Sequence, residues 1–168
     1  VFRVDASIQI GTGHVMRCLT LADALRERGG QCRFICRSHQ GHLLGFISQR
    51  GHEAIALRIG DVPFKAPSTP AHSSWLGTDW ASDAEQTARA LGEETVDWLV
   101  VDHYGLDRRW EMTLRPACQR LMIIDDLADR LHDCDLLLDQ NLGRTKRDYD
   151  CLLAPVTKTL IGPKHALL

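Results

Sequence analysis

The fold is decided by the stretch Arg3-Val-Asp-Ala-Ser-Ile-Gln-Ile-Gly-Thr-Gly-His14-Val-Met-Arg17-Cys18. Phe2 and Val4 alternate with polar neighbours, which predicts a short strand of the kind found at a sheet edge. Gly11 and Gly13 free the backbone for a tight turn and for close approach of a ligand. The apolar residues that follow recur at helical spacing and predict a helix over 14–28. They are Val15, Cys18, Leu19, Ala22 and Leu25.

This strand–turn–helix stretch does not carry a standard nucleotide motif. A dinucleotide fingerprint would need glycine at the position of Met16, and the P-loop pattern is absent. Two interpretations remain open: a glycine turn before a packing helix, or a ligand site built on His14 and Arg17. The site would lie at the carboxyl end of the first strand, where open α/β sheets bind ligands. Helix N-terminal amides favour an anion such as phosphate there.

Strand and helix patterns alternate along the chain, which predicts an α/β fold with a doubly wound parallel sheet. Apolar runs predict further strands over 31–36, 53–57, 96–102, 120–125, 136–139 and 158–161. Helical spacing predicts helices over 41–49 and 82–91, and one that begins at Asp107.

Two details of the later helices follow from single residues. Ser82 and Glu85 fit a capping box at the start of the third helix. In the helix from Asp107, Cys118 is expected on the core side, and Pro116 should kink or shorten that helix.

Residues 60–80 interrupt the alternation with prolines and serines that disfavour regular structure. Long loops in small domains tend to be functional or mobile. Trp75 and Trp80 lie in this segment and either cap the core or cover a ligand, with packing as the favoured role.

Composition excludes several classes of function. The formal net charge is −2 at pH 7, so there is no basic field for nucleic acid or for an acidic membrane surface. No apolar run approaches the ~20 residues of a membrane span. The six cysteines are scattered without zinc-site spacing, which favours a reduced, cytoplasmic protein.

Polar residues follow three strands at one predicted sheet edge. Residues 11–17 follow the first strand, Asp102-His-Tyr-Gly105 follows the fourth, and Asp125-Asp126 follows the fifth. Each has an ordinary alternative: Asp102 could cap a turn, His103 could be a surface imidazole, and Tyr104 could pack its ring with the hydroxyl in water. Their convergence at one edge favours a ligand crevice.

A metal site among the aspartates is not expected. Asp125, Asp126 and Asp129 match the spacing of a magnesium motif, but that motif lies on a helix, whereas these residues follow a strand. Helix capping and solvated turns are the favoured uses of these carboxylates.

Five segments of the chain together resemble one family. They are the opening stretch 3–22, Val101-Asp-His-Tyr-Gly105, Ile124-Asp-Asp-Leu-Ala128, Cys134-Asp-Leu-Leu-Leu-Asp-Gln-Asn141 and Gly162-Pro-Lys-His-Ala-Leu167. In this order they resemble the UDP-sugar hydrolases of pseudaminic acid biosynthesis, which release UDP from UDP-2,4-diacetamido-2,4,6-trideoxy-β-L-altropyranose. Residues 58–80 are the least similar part.

The resemblance implies a GT-B-type protein with two Rossmann-like domains that face a cleft. Residues 1–168 would be the N-terminal domain, and the C-terminal domain, which supplies most nucleotide contacts and an active-site asparagine, would lie outside this chain. His14 would act as the general base that activates water, and Tyr104 would lie beside the sugar. Asp5, Gly11, Gly13 and Arg17 would contact the substrate, a UDP-linked amino sugar.

The same resemblance implies a monomer that needs no metal or other cofactor. UDP is a good leaving group, so the chemistry needs mainly a base, and a neutral imidazole suits that role. The positive end of a helix dipole at His14 should disfavour its charged form. Two rivals remain: a nucleotide-sugar glycosyltransferase of the same fold, in which His14 would deprotonate a sugar hydroxyl, and a non-catalytic module that binds sugar nucleotides.

Overall fold

The computed structural model describes residues 1–60 and 65–167, which form a seven-stranded sheet with helices on both faces. Every strand pair is parallel, so the predicted α/β doubly wound, Rossmann-like fold is confirmed. The strands are β1 (Phe2–Val4), β2 (Arg33–Arg37), β3 (Glu53–Leu57), β4 (Val96–Asp102), β5 (Cys118–Ile124), β6 (Leu136–Asp139) and β7 (Lys158–Ile161).

Strand β1 lies inside the sheet, between β2 and β4, in the strand order 3-2-1-4-5-6-7. The prediction of an edge strand from the alternation of Phe2 and Val4 was therefore wrong. Arg3 between them is fully buried, because its guanidinium has carboxylate partners inside the protein. The strand order reverses between β1 and β4, which creates the crevice where doubly wound sheets bind ligands.

The four helices are α1 (Gly13–Glu27), α2 (Leu44–Gln49), α3 (Trp80–Leu91) and α4 (Arg108–Leu114). Helix α2 is shorter than the predicted 41–49. Helix α3 begins earlier than predicted, because Asp79 is its N-cap and accepts a hydrogen bond from the backbone of Ser82 at 2.9 Å. The expected capping box of Ser82 and Glu85 is therefore wrong.

Helix α4 ends just before Pro116, which lies in a short 3₁₀ turn. This agrees with the expected shortening. Cys118 is buried as expected, but it is the first residue of β5 rather than part of the helix.

Two apolar cores lie on opposite faces of the sheet. One contains side chains of α1 and α2, such as Leu19 and Ile47. The other contains side chains of α3 and α4, such as Leu91 and Trp110. The first two crossovers therefore cover one face and the later ones cover the other, as a doubly wound sheet requires. None of the helices in the described ranges is long and apolar enough to cross a membrane.

The irregular segment before α3 packs against the carboxyl edge of the sheet. Its residues 61–64 lie outside the described ranges, and Ser73–Leu76 forms a single 3₁₀ turn. Leu76 is buried in the core next to α3 and anchors this turn. A Cβ on Gly105 would lie 2.8 Å from the backbone oxygen of His72, so this segment can approach the loop after β4 only because residue 105 is glycine.

Candidate functional site

The crevice between β1 and β4 contains the side chains that follow these two strands. His14 and Arg17 come from the first turns of α1, and Asp102 and Tyr104 come from the end of β4. His14, Arg17 and Tyr104 line a cavity of about 490 Å³, and Asp102 is buried behind them. Its walls are formed by Ile10, Gly13, His14, Met16, Arg17, Thr20, Tyr104, Gln140 and Leu167. The predicted convergence of polar strand ends is therefore observed.

His14 and Asp102 form a hydrogen-bonded pair at the bottom of the crevice. Nδ1 of His14 lies 2.6 Å from Oδ1 of Asp102, whose side chain is fully buried. A carboxylate can only accept, so Nδ1 carries the proton and Nε2 of the neutral ring is left with its lone pair. The hydrogen bonds of His14 to described residues are made through Nδ1, and His14 lines the cavity. A histidine–carboxylate pair of this kind can accept a proton from a bound molecule when the ring is neutral.

Arg17 holds the carboxylate of Asp102 from the other side. Its Nε donates to Oδ2 at 2.5 Å and its Nη2 to Oδ1 at 2.7 Å, while its Nη1 donates to Asp126. Burial alone would raise the pKa of Asp102, but the hydrogen bonds from Arg17 and His14 outweigh burial and lower that pKa. Asp102 is therefore an ionised, fixed partner for His14, and not the simple turn cap that was the alternative.

Tyr104 closes the chain of contacts. Its hydroxyl donates to Oδ2 of Asp126 at 2.8 Å, and its ring meets the His14 ring edge-on with centroids 4.6 Å apart. Burial, followed by the charge of Asp126, raises the pKa of Tyr104, so its hydroxyl stays protonated. The alternative in which this hydroxyl points into water is wrong.

Asp5 is not part of the cavity wall. Its carboxylate is fully buried, binds Arg3 at 2.6 and 2.9 Å, and accepts from the backbone of Arg37 at 2.6 Å. No part of Asp5 is open to a ligand in this structure, so its contribution is to the packing beneath the site. The expectation that Asp5 contacts the substrate therefore has no support in this structure.

The two glycines of the opening motif have different surroundings. Gly11 has a φ of +81° and donates its backbone N–H to Ser7 at 2.8 Å, which closes the tight turn expected there. Gly13 is the first residue of α1 and lines the cavity beside His14. Of these two, Gly13 is placed to meet a ligand directly.

His103 is buried, so the surface alternative for this residue is wrong. Its Nδ1 accepts from the backbone of Gly105 at 3.0 Å, and its Nε2 faces Asp5 at 3.3 Å. Burial lowers the pKa of His103, although the charge of Asp5 opposes that shift. This imidazole therefore stabilises the loop after β4, whereas His14 lines the cavity.

The aspartates after β5 are used in ion pairs. Asp125 is fully buried, binds Arg130 at 2.7 Å and caps a turn at Ala128, so the expected solvated turn is wrong for this residue. Asp129 also binds Arg130, at 2.9 Å. Across residues 1–60 and 65–167, no group of three or more His, Cys, Asp or Glu side chains is arranged to hold a metal ion.

The site continues into a wall of aromatic rings. Trp75 is half-buried and lies against His72, with ring centroids 4.4 Å apart, and stacks on Tyr104 at 5.8 Å. Its ring is 6.4 Å from that of His14. Trp80, by contrast, lies under Arg109 at 5.3 Å and packs against the core. The two tryptophans of the irregular segment therefore have different surroundings, and Trp75 is the one next to the candidate site.

Fold and site together define an α/β domain of the doubly wound class with a histidine–carboxylate pair at its topological switch point. No protein-family model matches the chain. Over all 168 residues it is 25% identical to the UDP-2,4-diacetamido-2,4,6-trideoxy-beta-L-altropyranose hydrolase of Campylobacter jejuni subsp. jejuni serotype O:2. The match covers 51% of that protein, so this chain spans about half the length of the curated relative.

Proposed function

We propose that this chain is the N-terminal, Rossmann-like domain of a UDP-sugar hydrolase, with His14 as the general base for water. The substrate would be a UDP-linked diacetamido-trideoxyhexose, and the products UDP and the free sugar for pseudaminic acid biosynthesis. The observation that carries the proposal is the 2.6 Å contact of His14 with buried Asp102 at a cavity in the switch-point crevice. The similarity to the Campylobacter hydrolase supports the substrate class.

The geometry suits proton transfer from water. Asp102 fixes the tautomer in which Nε2 of His14 has a free lone pair, and it stabilises the imidazolium that forms when Nε2 takes the proton. The water oxygen forms a bond to the anomeric carbon of the sugar while the bond from that carbon to the diphosphate oxygen breaks, and the electron pair of the broken bond leaves with UDP. Since UDP is a good leaving group, this step needs little acid assistance.

Arg17, Tyr104 and Asp126 would act mainly by holding this arrangement. Arg17 binds two carboxylates at once, so its charge is already neutralised within the site. Tyr104 lines the cavity beside His14, where its ring would contact the sugar. The GT-B arrangement, with a second domain that provides the asparagine and most nucleotide contacts, remains part of the proposal.

The proposal is tested by UDP release from this substrate, catalysed by the full-length protein in plain buffer with no acceptor. We expect UDP and free sugar in equal amounts, and the same rate after treatment with EDTA. UDP release that requires an added acceptor would instead show a glycosyltransferase of the same fold. Binding of the sugar nucleotide without any turnover would show a non-catalytic module. Loss of activity on chelation, with recovery by magnesium, would contradict metal independence.

A further inference from the structure

Gln140 is a polar residue of the cavity that the proposed mechanism does not use. It follows β6 directly. The next residue, Asn141, makes two hydrogen bonds that fix this loop. Its backbone N–H donates to Asp139 at 2.9 Å, and its side chain donates to the backbone of Asp126 at 3.3 Å. Gln140 lines the cavity together with residues of α1. Gln140 therefore lies in a loop whose conformation is fixed by hydrogen bonds.

The orientation of the Gln140 amide is defined by one hydrogen bond. The backbone N–H of Leu167 donates to Oε1 of Gln140 at 3.0 Å. A backbone N–H can only donate, so the amide oxygen faces Leu167 and the NH₂ group points elsewhere. That NH₂ group has no acceptor among the described residues, and its nitrogen is not among their buried, unpartnered atoms. It is therefore an open donor.

The hydrogens of the other polar side chains in the cavity wall are largely committed. Thr20 donates to the backbone of Met16 at 3.3 Å, Tyr104 donates to Asp126, and His14 donates through Nδ1 to Asp102. Arg17 uses three N–H groups on Asp102 and Asp126. The uncharged amide of Gln140 therefore offers two free hydrogens in a cavity that His14 also lines.

The charge of the cavity indicates which part of a sugar nucleotide it accepts. Arg17 lines the cavity, but it is bonded to two carboxylates, so the group carries no excess positive charge to attract a diphosphate. Apolar side chains of Ile10, Met16 and Leu167 form much of the remaining wall. A neutral donor next to apolar surface matches an acetamido group, which presents a carbonyl oxygen and a methyl group side by side.

We propose that Gln140 is a specificity-determining residue whose amide NH₂ donates to the carbonyl oxygen of an acetamido substituent on the sugar. This inference rests on the proposed function, in that a sugar nucleotide must occupy the cavity. It adds a reason for acetylated sugars to be preferred over hydroxylated ones: the methyl of the acetamido group packs against the apolar wall while its oxygen accepts from Gln140.

The test measures binding to the full-length protein that carries His14→Asn, so that turnover does not consume the ligands. The dissociation constants of UDP-N-acetylglucosamine, UDP-glucose and UDP are compared by calorimetry. Gln140→Met should weaken UDP-N-acetylglucosamine roughly three- to tenfold, as expected for one neutral hydrogen bond, and leave the other two ligands unchanged.

The matched control is Gln49→Met, because Gln49 is exposed and outside the cavity wall; it should change none of the three constants. Three results would overturn the assignment. Gln140→Met could weaken all three ligands equally, or leave the preference for UDP-N-acetylglucosamine over UDP-glucose unchanged. The protein could also show no such preference before Gln140 is substituted. If the selective loss is observed but the full-length protein with His14 intact never releases UDP, the hydrolase is refuted and the role of Gln140 is kept. A working hydrolase without the selective loss would refute only the role of Gln140.

Discussion

Two clusters of carboxylates and guanidinium groups lie close together at the carboxyl edge of the sheet, and they differ in access to solvent. The sealed cluster consists of Arg3, Asp5, Arg37 and Asp83. The open cluster consists of His14, Arg17, Asp102 and Asp126. Both contain short ion pairs of the same residue types, so chemistry alone does not separate a structural cluster from a candidate catalytic one.

The charged groups of the sealed cluster form ion pairs with one another inside the protein. Asp83 binds Arg3 and Arg37 at 2.6 Å and accepts from Nε1 of Trp110 at 2.9 Å, and the side chains of these ion pairs are 0% exposed. Burial alone would raise the pKa of Asp83, but the charge of Arg3 reverses that effect and lowers it. This cluster joins β1 and β2 to α3 and α4 and has no surface for a ligand.

The open cluster keeps one group free. The side chains of His14 and Arg17 are each 10% exposed, and that of Asp126 is 14% exposed, while Asp102 beneath them is closed to solvent. The candidate site is therefore an ion-pair network that opens to a cavity at His14 and Arg17, whereas no member of the sealed cluster lines that cavity.

The largest expected effect is on the sealed cluster. Asp83→Asn leaves two guanidinium groups buried without their full counter-charge, which typically costs about 3–5 kcal/mol. Urea unfolding monitored by circular dichroism should show this loss. The matched control is Asp102→Asn, which should cost less, because Arg17 can turn toward water and keeps Asp126. Equal losses in the two variants would contradict the distinction between the clusters.

The next effect is on turnover and concerns the open cluster. In the full-length protein, His14→Asn should lower kcat for UDP release by about 10²–10⁴, because asparagine cannot accept a proton near pH 7. The affinity for the UDP-sugar should be nearly unchanged, since most nucleotide contacts are assigned to the other domain. Turnover, affinity and melting temperature are measured together. A variant that keeps more than about a tenth of the wild-type rate would show that His14 is not the base.

A smaller effect is expected for Tyr104→Phe. The ring that contacts His14 is retained, and only the hydrogen bond from the hydroxyl to Asp126 is lost. We expect roughly a tenfold loss in kcat/KM or less, because Asp126 keeps its ion pair with Arg17 when the hydroxyl is removed. Tyr149→Phe is the matched control, because that hydroxyl also donates to a buried carboxylate, Asp139 at 2.8 Å, but lies outside the cavity wall. A loss as large as that of His14→Asn would assign Tyr104 a direct role in proton transfer.

The smallest effect is a pH dependence of stability through His103. Burial lowers its pKa in the folded state from the ordinary 6.5, so below that pH the unfolded chain binds a proton that the folded protein excludes. The stability contributed by neutral His103 is therefore present above pH 6.5 and is lost as the pH falls toward the folded-state pKa. The free energy of unfolding should fall by at most about 1.4 kcal/mol per pH unit in this window.

Urea unfolding at pH 7.5, 6.5 and 5.5 checks this slope against the variant His103→Gln, in which it should be reduced. The neighbours that face His103 are Asp5 and Arg3, and both keep their charge throughout the window. A slope that is the same in wild type and variant would assign the pH dependence to other histidines.

Much of the fold could be predicted because it depends on local hydrophobic patterns. The predicted bounds of β3, β4, β6 and β7 match the structure, since each is an apolar run bordered by polar or turn residues. The errors concern residues whose partners are distant in sequence. Arg3 and Asp83 are 80 residues apart, so neither a short alternating strand nor a helix start reveals that both are buried.

The candidate site could be predicted in part for the same reason. The rule that ligands bind at the carboxyl ends of parallel strands brought His14, Arg17 and Tyr104 to one edge. It also brought Asp102 to this edge, but it did not predict the contact of Asp102 with His14, which spans 88 residues. A usable signal was present, namely a carboxylate directly after a buried central strand. Asp5 shows the limit of that signal, because it also follows a central strand and yet belongs to the sealed cluster.

The central claim is that Asp102 and His14 act as one catalytic unit, and a double-mutant cycle tests it most directly. Initial rates of UDP release are measured for full-length wild type, Asp102→Asn, His14→Asn and the double variant. If Asp102 works only through His14, the double variant should be about as slow as His14→Asn alone, because groups that act as a unit are strongly non-additive. Losses that multiply, so that the double variant is slower than His14→Asn by the full factor of Asp102→Asn, would contradict the account.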